Sequence, residues 1–123
     1  MAGSGSYLPL FRPGDTVTFA VTAAVTGGTP VEQSLTADRA VGPASAGSAR
    51  VVGVAGHSAA PGDKLTVEIG KPIHSLTASG AVTRGQRLEA AGGGRVRTLA
   101  AGSAVYLALT SAADGASVEA LQL

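Results

Sequence analysis

The chain has 123 residues, the size of one ordinary domain, and a formal net charge of +1. Without cysteine it has no disulfide scaffold, thiolate metal site or cysteine nucleophile, and so small a charge argues against a surface built for nucleic-acid phosphates. No apolar run approaches the ~18–20 residues of a membrane span, and residues 1–6, MAGSGS, lack the charged and apolar regions of a signal peptide.

Residues 1–13 read as an arm that either packs as a strand on its own domain or docks on a neighbour. Gly3-Ser4-Gly5-Ser6 is flexible linker composition, and the cluster Tyr7, Leu8, Leu10 and Phe11 follows, broken by Pro9, which disfavours a helix. Residues 14–123 read as a single β-rich domain of short strands separated by glycine turns. In 15–22, Val17, Phe19 and Val21 alternate with threonines, the period of a half-buried strand. Gly27-Gly28 marks a turn, 31–36 resume extended structure, and 41–49 are small and turn-rich. Residues 50–55 form a strand ending at Gly56; 64–69 alternate again through Leu65, Val67 and Ile69; Ile73 and Leu76 mark a further strand. Residues 86–90 and 95–99 flank Gly92-Gly93-Gly94, a hairpin signal. Residues 100–113 are alanine-rich enough for a short helix, but Val105, Tyr106, Leu107 and Leu109 favour a strand, and 117–123 close the chain. The expected fold is all-β, a small barrel or sandwich of short strands with an extended N-terminal arm. Core candidates are Val17, Phe19, Val21, Val52, Val54, Leu65, Val67, Ile69, Val105, Leu107 and Val118. Twenty-four residues are alanine and 18 are glycine, so this core is thin. A partner surface would supply the missing burial.

Two internal echoes stand out. Residues 13–19 (PGDTVTF) recur as 61–67 (PGDKLTV), and 24–32 (AVTGGTPVE) recur as 81–89 (AVTRGQRLE). Both read as turns leading into strands, in which Pro, Gly and Asp each favour the bend for a separate reason. Their spacings differ, which excludes a solenoid.

Little chemistry is on offer. His57 and Ser58 lie near Asp63, yet nothing around Ser58 resembles a nucleophile elbow. His57, His74, Asp15 and Asp63 lack zinc-ligand spacing. Glu32, Glu68, Glu89 and Glu119 sit on strand-like runs and read as solvated faces. Gly92-Gly93-Gly94 lacks the Lys-Ser/Thr and the helix of a phosphate loop. Arg84, Arg87, Arg95 and Arg97 flank it with no stacking aromatics nearby, so they are expected to face a partner protein rather than nucleic acid. No catalytic residue, cofactor or metal is expected.

The order of several short motifs resembles the capsid cement, or head decoration, proteins of tailed bacteriophages. The motifs are Gly14-Asp15-Thr16-Val17, Ala24-Val25-Thr26-Gly27-Gly28, Val52-Gly53-Val54-Ala55, Gly62-Asp63-Lys64-Leu65-Thr66-Val67, Ala81-Val82-Thr83-Arg84-Gly85 and Ala113-Asp114-Gly115-Ala116-Ser117-Val118. Arg87-Leu88-Glu89 departs from the Tyr-Trp-Asp often found there in that family. The resemblance implies a non-enzymatic virion protein, made in the host cytoplasm. It would bind the outer surface of the head and stabilise contacts between major capsid subunits, as a homotrimer, with no nucleic acid or membrane partner. The rival expectation is a tail- or fibre-associated β module that binds a host glycan. The expected partner contacts are Tyr7, Leu8, Leu10 and Phe11 of the arm, laid along a partner's sheet edge, together with Arg84, Arg87, Arg95 and Arg97.

Overall fold

The computed structural model describes residues 16–123. The arm, with Tyr7, Leu8, Leu10 and Phe11, lies outside the described residues. Ten strands follow one another: β1 (Thr16–Val21), β2 (Pro30–Gln33), β3 (Ala40–Pro43), β4 (Val51–Ala55), β5 (Lys64–Glu68), β6 (Ile73–Ala78), β7 (Arg87–Gly92), β8 (Arg95–Thr98), β9 (Tyr106–Ala108) and β10 (Ser117–Gln122). No helix occurs among the described residues. The strands close into two five-stranded barrels, in the orders β1-β3-β2-β4-β5 and β10-β6-β8-β7-β9.

The second barrel repeats the first strand for strand. β1 runs parallel to β3 and antiparallel to β5, as β6 runs parallel to β8 and antiparallel to β10. β2 joins β3 to β4, as β7 joins β8 to β9. Even the isolated bridges match, Val25 with Ala59 and Val82 with Ala112. Gly28 N–H donates to Ala55 O, and Gly85 N–H to Ala108 O, both at 2.8 Å. Both glycines have positive φ, 79° and 87°, a conformation that costs other residues energy. The echo between 24–32 and 81–89 therefore marks a duplicated barrel. The other echo has a different origin. Its strand halves lie on β1 and β5, antiparallel neighbours in one barrel, with Val17 opposite Val67 and Phe19 opposite Leu65.

The barrels are filled by side chains, as five strands leave no room for a channel. Val21, Val25, Val31, Val41, Ala55, Leu65 and Val67 fill the first. Leu76, Ala78, Val82, Leu88, Val96, Tyr106, Ala108, Val118 and Ala120 fill the second, and Val54 reaches into it from the first barrel. Fully burying a leucine such as Leu65 or Leu88 contributes about 1.5–3 kcal/mol. Of the core candidates, Val17, Val21, Val54, Leu65, Val67 and Val118 are buried. Phe19, Val52, Ile69, Val105 and Leu107 are only half-buried, at the barrel margins or on the outer wall. The turn-rich 41–49 segment begins with a strand, β3, and 100–113 carry β9 rather than a helix.

A loop ties the barrels together. Gly47, between β3 and β4, donates from its N–H to Ala90 O at 2.8 Å and accepts from Ser103 N–H at 3.3 Å. A Cβ on Gly102 would collide with the Gly47 backbone, so the two loops meet at bare main chain.

Candidate functional site

The expected solvated glutamate face is corrected by Glu89, which is 0% exposed. Alternation along β7 aims its side chain outward, but the loops carrying Gly47 and Gly102 cover it. Its Oε1 accepts from Ala100 N–H at 2.7 Å and Gly102 N–H at 3.0 Å; its Oε2 accepts from Arg97 Nε and Nη2 at 2.8 and 2.7 Å. The Ala100 amide, then Arg97 and the Gly102 amide, hold its pKa below the ordinary 4.5. Glu32, its counterpart on β2, makes the same type of contact: Oε1 accepts from Ser45 N–H and Oγ at 3.0 Å, and Oε2 from Arg50 at 2.8 Å. Burial alone would raise the Glu32 pKa, but hydrogen bonds from Ser48 and Ser45 and the Arg50 charge outweigh it and leave it lowered. Both carboxylates brace loops.

The Ser/His/Asp set is taken apart by its loops. Ser58 Oγ accepts from Gly27 N–H at 2.9 Å, and Asp63 Oδ2 from Ala60 N–H at 3.0 Å. His57 Nε2 accepts from Thr66 N–H at 3.3 Å while Nδ1 meets Ser58 O at 3.0 Å. All three side chains are spent on main-chain partners. No group of three or more His, Cys, Asp or Glu suited to a metal exists among the described residues. A cleft of about 250 Å³ lies between the first barrel and the glycine hairpin, lined by Ala24, Thr26, Thr29, Pro43, Gly93 and Gly94. It has no charged wall, and Thr29 Oγ1 is already donated to Thr26 O at 2.6 Å.

The four arginines are distributed over the second barrel. Arg95 opens β8 beside the hairpin tip, where Gly92, Gly93 and Gly94 all have positive φ. Arg87 opens β7, at the far end of that strand, roughly 17 Å away. Arg84 sits in the preceding turn, its N–H donated to Ser111 Oγ at 3.0 Å. Arg97 is bound to Glu89. The side chains of Arg84, Arg87 and Arg95 project from exposed positions, and Arg97 is the one with a structural duty.

One surface feature went unread in the sequence. Val118, Ala120 and Gln122 of β10 point inward, so Leu121 points out. Leu121 lies opposite Ile73 on β6 and Leu107 on β9, and Leu107 lies opposite Arg87 on β7. Leu99 N–H donates to Arg87 O at 2.9 Å and extends the row. Ile73, Leu121, Leu107, Arg87 and Leu99 thus form a belt across the outer wall, with Ile73 60% exposed. Leu109 and Leu123 flank it, also exposed. The repeat supplies a reference. The matching row of the first barrel runs Thr16, Glu68, Val54, Pro30 and Ala44. There Val54, Pro30 and Ala44 are buried, with Val54 packed into the second barrel.

No protein-family model matches this sequence, and no curated protein is detectably similar to it. Among solved structures, the N base of the head fiber gp8.5 of bacteriophage phi29 is similar in fold, with a TM-score of 0.69 and 15% sequence identity. The match covers 89% of this chain and 93% of that chain, so the likeness takes in both barrels.

Proposed function

We propose that this protein is a structural component of a bacteriophage head, one that binds the outer surface of the capsid and stabilises contacts between major capsid subunits. The observation that carries the reading is the fold likeness to a head fiber base over nearly the whole length of both chains. The ordered turn motifs of the sequence support it. So does the use of Ser58, His57 and Asp63 as loop braces, each bonded to main-chain groups rather than to one another. In this reading Arg84, Arg87 and Arg95 face the capsid, Arg97 being held by Glu89. The protein acts as a homotrimer, and many weak contacts repeated over a lattice add up to firm attachment.

A second reading has a specific observation in its favour. The neighbour is the base of a head fiber, and in this second reading the chain is the anchor of an appendage rather than a cement. Glycan binding by the described residues is less well supported, because Tyr106 is fully buried and offers no stacking face. Purified heads lacking the protein, incubated with it and sedimented, test the proposal. Saturable co-sedimentation that raises the temperature at which heads rupture supports cementing. Binding without stabilisation points to the anchor, and failure to bind overturns both.

A further inference from the structure

We propose that the apolar belt on the second barrel receives the β2–β3 loop of a second copy of this chain, with Leu35 seated on Leu121 and Leu107 and Asp38 facing Arg87. The inference needs no head, and it goes beyond the capsid reading by naming the surfaces through which copies join.

These two surfaces are places where the duplicated barrels differ. In the first barrel residues 34–39 join β2 to β3, whereas only Gly93 and Gly94 join β7 to β8 in the second. The longer loop is held stiff. Gln33 Nε2 donates to Ser34 O at 3.1 Å and to Ala37 O at 2.9 Å. Thr36 N–H donates to Ser34 Oγ at 3.1 Å, and Ser34 N–H closes the base of the loop on Ala40 O at 2.7 Å. Arg39 adopts a φ of 41°, a left-handed conformation uncommon outside glycine. On this frame Leu35 is 77% exposed. An apolar side chain presented by a pre-formed loop loses little further freedom when it binds. The second barrel differs in its outer wall. Ile73 and Leu121 stand where the first barrel has Thr16 and Glu68, and Leu107 lies between Leu121 and Arg87.

The occupant follows from chemistry and spacing. The belt offers apolar side chains and one cation, Arg87; the loop offers one exposed leucine and one anion, Asp38. Neither Asp38 nor Arg87 is ion-paired among the described residues, and Arg39, next to Asp38, has a partner of its own. Leu35 and Asp38 are three positions apart, at most about 10 Å of extended chain. Leu121 and Arg87 are two inter-strand gaps apart, also about 10 Å. A leucine seated on Leu121 and Leu107 therefore leaves the carboxylate within reach of the Arg87 guanidinium. The high exposure of Leu35 shows that it does not occupy the belt of its own chain, so the two surfaces meet between copies. Each copy carries one loop and one belt. The contact is thus head-to-tail, the kind that closes into a ring or runs on as a filament.

Sedimentation equilibrium of the full chain is expected to show concentration-dependent association. Leu35→Asp removes the apolar tip of the loop, and Arg87→Asp reverses the charge of the belt. Both side chains are exposed in the single chain, so the melting temperature of each variant should match the parent's. Each variant alone should associate about tenfold or more weakly than the parent. Mixed in equal amounts, the two should form a one-to-one heterodimer and nothing larger, because only the intact loop of Arg87→Asp and the intact belt of Leu35→Asp can meet. Asp38→Arg combined with Arg87→Asp in one chain should restore the parent's association. A parent that stays monomeric overturns the inference; if it still co-sediments with heads, the capsid reading survives. Leu35→Asp that associates like the parent, a mixture without heterodimer, or a double reversal that stays weak overturns it as well.

Discussion

Tyr106 sits at the centre of the second barrel, fully buried, and its hydroxyl has no hydrogen-bond partner among the described residues. The ring itself is well placed, edge-on to His74 with centroids 6.4 Å apart. Tyr106→Phe keeps the ring and deletes the stranded oxygen. Leaving a buried polar group unsatisfied costs about 1–3 kcal/mol, so the variant is expected to be more stable by about 1–2 kcal/mol. For a domain of this size that is roughly a 3–8 °C rise in melting temperature. Urea unfolding followed by far-ultraviolet circular dichroism reads it as a higher midpoint with unchanged slope. The alkaline limb adds an independent check. Burial pushes the Tyr106 pKa above its ordinary 10.0. The folded state therefore holds this proton more tightly than the unfolded state. That contribution to stability is fully present below about pH 10 and is lost as the pH rises beyond it. Phenylalanine has nothing to lose, so the advantage of the variant should widen above pH 10. A variant less stable than the parent by 1 kcal/mol or more at pH 7 would mean that the hydroxyl is bonded in solution, and the reasoning would fail.

Gly102→Ala would drive a Cβ into the Gly47 backbone, and overpacking of this kind costs about 1–3 kcal/mol; thermal unfolding should show the loss, and Gly47→Ala should not restore it. Glu89→Gln should lower the melting temperature at pH 7. The parent's carboxylate has a depressed pKa, so its contribution is present above about pH 4.5 and is lost as the pH falls through the folded value; the variant should lack that acid-side decline in a melting series from pH 7 to pH 3. Arg84→Ala combined with Arg95→Ala should leave stability within about 0.5 kcal/mol, while head co-sedimentation weakens and becomes less sensitive to salt; undiminished binding would remove these arginines from the contact.

Strands whose two faces differ in polarity could be read directly. β1 and β5 alternate valine or leucine with threonine, and the hairpin between β7 and β8 is announced by three glycines. β3 was hidden because Ala40-Val41-Gly42-Pro43 has no polar face to alternate with; its identity comes from pairing with both β1 and β2. Two barrels rather than one were likewise beyond local reading. Closure depends on Thr16 finding Glu68 and Ile73 finding Leu121, contacts about fifty residues apart. The echo of 24–32 in 81–89 was visible, but short turn motifs arise independently, as the other echo shows. Glu89 looked like a surface residue because what buries it is a pair of loops distant in sequence, one of its own barrel and one from the other. The belt was obscured for the opposite reason: β10 has apolar residues on both walls, Val118 and Ala120 inside and Leu121 outside, so period two carries no contrast there.

The strand-for-strand duplication also bears on how the chain folds. Each barrel is contiguous in sequence and is sealed by its first and last strands, with only residues 69–72 between β5 and β6. The first barrel can thus be complete in sequence on the ribosome while the second is still being made. Yet two units of one topology, so close together, invite β5 to seal the wrong barrel or to exchange with another chain's copy, a recurrent failure of tandem repeats. The dissimilar strands of the two copies, Lys64-Leu65-Thr66-Val67-Glu68 against Ser117-Val118-Glu119-Ala120-Leu121, make such swaps unequal in energy. Divergence after duplication then acts as an address, directing each closing strand to its own barrel.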